Sequence, residues 1–387
     1  MPNSRSPAVA GGSFALVANG APDSPPASGV RDYLLARGAR VIVVHHPLGP
    51  DEAGRHHIVQ YDANGAARRR VLRLPSRTPF TYPLDLVIPP VFPRVDGWLG
   101  FNNLMCMPGL LGRRTGRVGR VVYWAVDFVP DRFGAGSPLT RAYDALDAYC
   151  CRAADARLEV AQAALDGRNQ RHGLTEAVAP AAVCPIGTWL DRVPKIGPDA
   201  WEARRVVFIG HLVERMGVDT MVQALEILKG RGVEVHADIA GRGPLEDELQ
   251  AQVASAGLAE TVTFHGFIAE HQRLERLLAD ASVALAPYST RMESFTRFAD
   301  PSKLKSYLGA GLPILLTDVP PNATDLEQRA GAEVVADDPA SFADAIARLL
   351  DAREEWERRR LAALDYAQGF DWNTVLDRAF ADAGFTV

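Results

Sequence analysis

The chain is poor in cysteine. It has four in 387 residues; Cys150 and Cys151 are adjacent, while Cys106 and Cys184 stand alone. No CxxC and no Cys/His ligand spacing occurs, which argues against a disulfide framework or a zinc site and for reduced, buried thiols in a cytosolic protein. Long apolar runs are also missing. FALVA and LDLVIPPVF fall short of the roughly 20 residues a membrane-spanning helix needs. The first twenty residues lack an apolar core followed by a cleavage site, so a cytoplasmic chain is expected. Three catalytic signatures are absent as well. The first apolar run leads into NGAPDSPPASG, with no GxGxxG for a dinucleotide. Neither a GxxxxGK[ST] phosphate loop nor a GxSxG nucleophile turn is found.

The net charge of −5 conceals an asymmetry: residues 1–195 carry roughly +7 and residues 196–387 roughly −12. Much of the basic excess sits in ARRRVLRLPSR (67–77) and GRRTGRVGR (112–120). Such clusters suit a solvated face, or else an anionic acceptor or the inner face of a membrane touched peripherally. No aromatics interleave the arginines, so nucleic acid is not an expected partner.

What is present describes an α/β protein. A hydrophobic fraction of 47% with 23% charged residues allows two domains of roughly 200 residues, each with its own core. In the first half SFALVA, RVIVVHH, VDGWLGF, RVVYWAV and ADARLEV read as strands, separated by helical stretches such as SGVRDYLLARG and NLMCMPGLLGRR. In the second half VVFIG, VHADIAG, VTFHG, VALAPY and PILLTD alternate with amphipathic helices. Two doubly wound, Rossmann-like parallel sheets follow, over residues 1–187 and 205–369. The Pro- and Gly-rich stretch 188–204 reads as a linker, and 370–387 as a final helix packed at the domain joint through Trp372. Doubly wound domains bind ligands beyond the carboxyl ends of their strands, so the expected ligand lies in a cleft between the two. His45, His46, His56 and His57 read as packing residues.

Three loops of the second half stand out. FIGHLVERMGVD (208–219) joins a strand to a helix N-terminus, a natural anion site. IAGRGPLEDEL places Gly241 and Gly243 around Arg242, where a ligand can approach the backbone. APYSTRMESFTRFADPSKLKSYLGAG delivers Glu293, Asp300, Ser302 and Lys303 in one polar segment. Asp300 before Pro301 also fits a helix N-cap followed by proline at the first helical position. Lys303 in the first turn opposes the helix dipole unless an anion sits there.

The motifs FIGHLVERMGVDTMVQAL, IAGRGPLEDEL, VTFHGFIAEHQRLERLLADASVALAPY and SKLKSYLGAGLPILLTD, in this order, resemble family 4 of the retaining glycosyltransferases. WAVDFVPDRF and CPIGTW match that family's acceptor domain and joint more loosely. The resemblance implies the GT-B architecture, a nucleotide-sugar donor held by the second domain and an acceptor, lipid-linked or saccharide, at the first. It implies donor contacts at Gly210, His211, Arg215, Gly241, Arg242, Gly243, Phe267, Ile268, Ser302, Lys303 and Ser306, with Asn19 and Gly20 on the acceptor side. Asp127 would orient sugar or acceptor, and either Glu293 or Asp300 would hold sugar hydroxyls. No metal and no cofactor is expected, since cations and helix ends can hold a diphosphate. The chain departs from the family where an arginine, a lysine and a glutamate are usual, having His211, Met216 and Ser306. These departures motivate an alternative, a catalytically inactive partner subunit. A nucleotide-sugar epimerase on the same architecture is a lesser one.

Overall fold

The apolar runs become the inner strands of two separate sheets in a computed structural model that describes residues 8–20, 26–47, 54–73, 93–268, 270–291 and 295–387. Met1–Gly187 together with Trp372–Val387 form one unit, and Thr188–Asp371 form the other.

The first unit carries β1 (Ser13–Asn19), β2 (Arg40–His46), β3 (Arg55–Tyr61), β4 (Ala67–Arg73), β5 (Val95–Gly100), β6 (Val118–Ala125), β7 (Ala156–Glu159) and β8 (Ala181–Val183), in the order β4-β3-β2-β1-β5-β6-β7-β8. Six strands from β2 to β8 run parallel, and β3 and β4 extend the edge in antiparallel fashion. Helices α1 (Ala27–Ala36), α2 (Asn103–Arg114), α3 (Pro138–Ala153) and α4 (Gln162–His172) cover it. Close packing is written into single residues. A Cβ at Gly109 of α2 would lie 2.3 Å from the Trp98 ring of β5, so only glycine lets this helix approach. Ser137 caps α3 by accepting from the Thr140 N–H, ahead of Pro138.

The last helix (Trp372–Asp382) packs within the first unit. Trp372 lies where a Cβ on Gly29 of α1 would be, and Phe380 stacks on Tyr33 at 5.4 Å. Asp377 accepts from the Tyr33 hydroxyl and pairs with Arg37, both at 2.7 Å.

The second unit is wholly parallel. Its strands β9 (Arg205–Ile209), β10 (His236–Ala240), β11 (Val262–Gly266), β12 (Val283–Ala286), β13 (Ile314–Leu316) and β14 (Glu333–Val334) lie in the order β11-β10-β9-β12-β13-β14. Helices α5 (Val218–Gly230), α6 (Glu246–Ser255), α7 (His271–Ala279), α8 (Ser302–Ala310), α9 (Ala323–Arg329), α10 (Pro339–Asp351) and α11 (Arg353–Ala367) pack around it. The stretch 188–204, read from its prolines as a linker, is part of this body: Leu190, Val193 and Ile196 are buried in its core, and Pro198–Ala203 form a 3₁₀ turn. Irregular composition does not prevent packing when every third or fourth side chain is apolar.

Each sheet reverses its winding direction once. After β1 the chain adds β2 on one side and β5 on the other; after β9 it adds β10 on one side and β12 on the other. The loops leaving β1 and β5, and those leaving β9 and β12, therefore flank the two switch points where such sheets leave a crevice.

Candidate functional site

At the switch point of the second sheet the loops are stacked backbone on backbone. A Cβ on Gly241 would sit 1.7 Å from the Gly210 carbonyl oxygen, one on Gly243 2.2 Å from that of Leu212, and one on Gly217 1.7 Å from that of Pro287. No side chain can occupy these positions. Gly241 and Gly217 also have φ values of 151° and 63°. Hydrogen bonds lock the stack: the N–H groups of Gly210, Leu212 and Gly241 donate to the carbonyls of Ala240, Arg242 and Gly266, and that of Ser289 donates to Arg215. The Gly–x–Gly pattern, weak as a sequence signal, is thus required by the contact between the loops after β9 and β10.

Lys303 reaches into this floor from the first turn of α8. Its side chain is buried, with Nζ 4.3 Å from the ring centres of both Phe208 and Tyr288 and 3.8 Å from the Met216 sulfur. A Cβ built on Gly210 would lie 3.8 Å from the same ammonium. No carboxylate among the described residues pairs with it, and burial pulls its pKa down to about 7. Two aromatic faces and a thioether offset only part of the cost of desolvating a cation. Arg215, next in the chain to Met216, has its Nε buried and its guanidinium 5.0 Å from the Phe295 ring. Arg242 and His211 are exposed at the same strand ends. Among the described residues Lys303, Arg215 and Arg242 have no carboxylate partner, and Lys303 and Arg242 lie close to Gly210 and Gly266 at the strand ends, an arrangement that suits a polyanion.

The neighbouring loop is fixed from outside. Asp337 accepts from the Thr290 N–H at 2.7 Å and its hydroxyl at 3.0 Å, and Arg291 pairs with Asp219 at 2.8 Å. Glu293 lies outside the described residues. Asp300 is not the N-cap that its place before Pro301 suggests. Helix α8 begins at Ser302 after an extended Pro301 with no side-chain cap, and the buried Asp300 carboxylate meets the ammonium of buried Lys305. Lys305 went unnoticed in the sequence because a lysine at helical spacing reads as solvent-facing. Ser302 is exposed, and its carbonyl accepts from the half-buried Ser306 hydroxyl at 3.5 Å. Phe267, 70% exposed, follows Gly266, whereas the half-buried Ile268 packs against the core.

In the first unit the corresponding crevice is polar. Asn19 at the end of β1 accepts from the Asn102 amide at 2.6 Å, and Asn102 caps α2 through the Met105 N–H. Gly20, at φ 96°, donates to the His46 carbonyl. Asp127, after β6, pairs with Arg132 at 2.6 Å, and its carbonyl accepts from Arg168 at 2.6 Å. Arg168 is itself the centre of a buried network. It contacts Glu159 at 2.8 Å and Asp147, and Asp147 also holds the Tyr123 hydroxyl and His172. Burial pushes Glu159 up to about 7 against the pull of Arg168 and Arg157. This network braces the segment carrying Asp127. His46 and His56 share a buried Nδ1···Nδ1 hydrogen bond of 2.8 Å. The four cysteines are buried and free. Among the described residues no helix is long and apolar enough to cross a membrane, and no His/Cys/Asp/Glu group could hold a metal ion.

Comparison with known proteins gives this arrangement a context. Residues 203–352 match the family described as glycosyl transferases group 1. A stretch of 180 residues, 46% of this chain and 43% of the relative, is 32% identical to the GDP-mannose-dependent alpha-(1-6)-phosphatidylinositol dimannoside mannosyltransferase of Mycobacterium tuberculosis. Another, of 114 residues, is 27% identical to the amylovoran biosynthesis glycosyltransferase AmsK of Erwinia amylovora and covers 30% of this chain and 28% of that protein. The chain thus matches less than half the length of these curated relatives. Likeness of fold extends further. Sucrose-phosphate synthase from Thermosynechococcus elongatus superimposes with a TM-score of 0.71 at 15% identity over 96% of this chain and 98% of its own. HepE of Anabaena, solved with UDP, gives 0.68 at 14% identity over 95% and 98%. The chain has the GT-B fold, and its residues 203–352 are a glycosyl transferases group 1 domain.

Proposed function

We propose that the chain is a glycosyltransferase that moves a sugar from a nucleotide-sugar donor onto an acceptor hydroxyl, and that the donor diphosphate rests on the strand ends of the second sheet. The observation that carries this reading is Lys303, a buried ammonium with no carboxylate partner among the described residues, aimed at the glycine floor after β9. Departure of the diphosphate breaks the bond between the anomeric carbon and the phosphate oxygen, and the electron pair leaves with the phosphate. Lys303, Arg215 and the α8 N-terminus stabilise that charge. The acceptor oxygen bonds to the same carbon, on the same face by analogy with the resembled family, and its proton passes to the departing diphosphate. In this reading Phe267 and Ile268 flank the nucleotide base, Ser306 bonds a ribose hydroxyl and Glu293 holds the sugar. Asp300 supports the loop rather than touching sugar, because its carboxylate is spent on Lys305.

The basic excess of residues 1–195 favours a lipid-linked or saccharide acceptor met at the cytoplasmic face of a membrane. A second reading, an inactive partner subunit, draws on Met216, whose sulfur touches Lys303 where the resembled family usually has a lysine. To separate the two readings, purified chain is incubated with UDP-, GDP-, ADP- and dTDP-sugars, with and without saccharide and lipid-linked acceptors, and nucleoside diphosphate release is measured. Release from one donor, reduced at least 100-fold in Lys303→Met, is the expected result. Nucleoside diphosphate binding without release under any condition would establish the partner-subunit reading instead.

A further inference from the structure

At the opposite end of the first sheet from Asn19 and Gly20 lies a cavity of about 470 Å³, floored by Ile42 and Val95 and lined by Arg40, Arg68 and Arg94. The three arginines come from distant parts of the chain: Arg40 opens β2, Arg68 lies in β4, and Arg94 precedes β5. Register explains their meeting. Ser13 of β1 pairs with Arg40, Ile42 pairs with Gln60, and Gln60 pairs with Arg68, so the antiparallel hairpin carries Arg68 back over the amino ends of β1 and β2. None of the three guanidiniums makes an ion pair or side-chain hydrogen bond among the described residues. The acid in the lining, Asp62, uses its Oδ1 to accept from the N–H groups of Asn64 and Ala66 in the hairpin turn. Neither cross-strand partner of these arginines is charged: Arg40 faces Ser13 and Arg68 faces Gln60. Folding alone gives no reason for three like charges around one concavity, where they repel each other.

We propose that this cavity binds a phosphate group carried on an organic molecule, at a site separate from the strand ends that carry the transferase reading. Guanidinium forks match phosphate oxygens in pairs, and three of them converge here. The apolar floor and the volume accommodate more than a bare phosphate and fall within the range of small-molecule sites. The phosphate belongs either to a free metabolite or to a lipid headgroup.

Two variants of equal charge test this. Arg40→Gln/Arg68→Gln/Arg94→Gln removes the cavity arginines. Arg55→Gln/Arg69→Gln/Arg73→Gln removes three from the other face of the same hairpin, which register places away from Arg68. All six side chains are exposed, so both variants should fold, as far-ultraviolet circular dichroism would verify. Binding of inorganic phosphate is followed by calorimetry at low salt. Vesicle binding is followed by co-sedimentation, using phosphatidylcholine with 30% phosphatidylglycerol against phosphatidylcholine alone. Phosphate affinity at least tenfold weaker in the cavity variant and within twofold of wild type in the control assigns a free phosphate ligand. Vesicle binding lost only in the cavity variant, without phosphate binding, assigns a lipid headgroup. Equal losses in the two variants, or no binding of either probe by the wild type, overturn the proposal.

Discussion

Replacing Lys303 by methionine should stabilise the protein while abolishing nucleotide binding. Burial lowers this ammonium from its usual pKa of 10.5 to about 7. At about 1.4 kcal/mol per pH unit, the charged folded form is disfavoured by roughly 4–5 kcal/mol below pH 7. The faces of Phe208 and Tyr288 return a part, about 0.5–2 kcal/mol in each such contact. Methionine fills similar volume without charge, so a net gain of about 2 kcal/mol is expected at pH 7, or about 4–8 °C in the melting temperature of a unit this size. The gain has a defined pH dependence. Between pH 7 and 10.5 the unfolded chain holds a proton at Lys303 that the folded chain does not, so wild-type stability rises with pH across that window. The variant lacks this contribution, and its advantage should fade towards pH 10.5. Calorimetric melting of both proteins from pH 6 to 10 makes the comparison. A variant less stable than wild type at pH 7, or an advantage independent of pH, would refute the reasoning about the buried ammonium.

Three further outcomes follow from the same geometry. A bound diphosphate raises the Lys303 pKa, so affinity for a nucleotide-sugar, whose phosphates do not titrate here, should be constant below about pH 7. Above it, affinity should fall by up to tenfold per pH unit, with a flat profile for Lys303→Met. Gly241→Ala should cost more than about 3 kcal/mol, since its Cβ would meet the Gly210 oxygen at 1.7 Å; a melting temperature within 1 °C of wild type would contradict the stacked loops. Asp300→Asn leaves Lys305 buried without its carboxylate and should cost about 3–5 kcal/mol in urea unfolding, while Asp300→Asn/Lys305→Met should recover most of it.

The inner parallel strands were legible where they are buried on both faces and read as apolar runs, as RVIVVHH and VVFIG do on β2 and β9, whereas the short, half-buried β8 and β14 carry no such run. Strand β4 was not, since ARRRVLR is exposed along its whole length and its membership of the sheet depends on β3 alone. Helices such as NLMCMPGLLGRR fall on their predicted residues, where Asn102 supplies the cap. The sequence pointed to Lys303 through its awkward place at a helix start, but its burial between Phe208 and Tyr288 depends on residues far apart in the chain. Asp300 shows the limit of local rules: Asp-Pro fits an N-cap, yet a buried lysine five residues on claims the carboxylate. The final helix was legible as a helix. Its packing within the first unit was not, because Trp372 finds its partner at Gly29, near the other end of the chain.

The most direct test of the central claim is calorimetric titration of UDP, GDP, ADP and dTDP into the wild-type chain and into Lys303→Met, with both proteins shown to be folded. A diphosphate on the strand ends of the second sheet predicts that one nucleotide binds selectively to the wild type and at least 100-fold more weakly to the variant. Equal affinity of the two proteins for that nucleotide, or no binding of any nucleotide to the wild type, would contradict the assignment of the donor site.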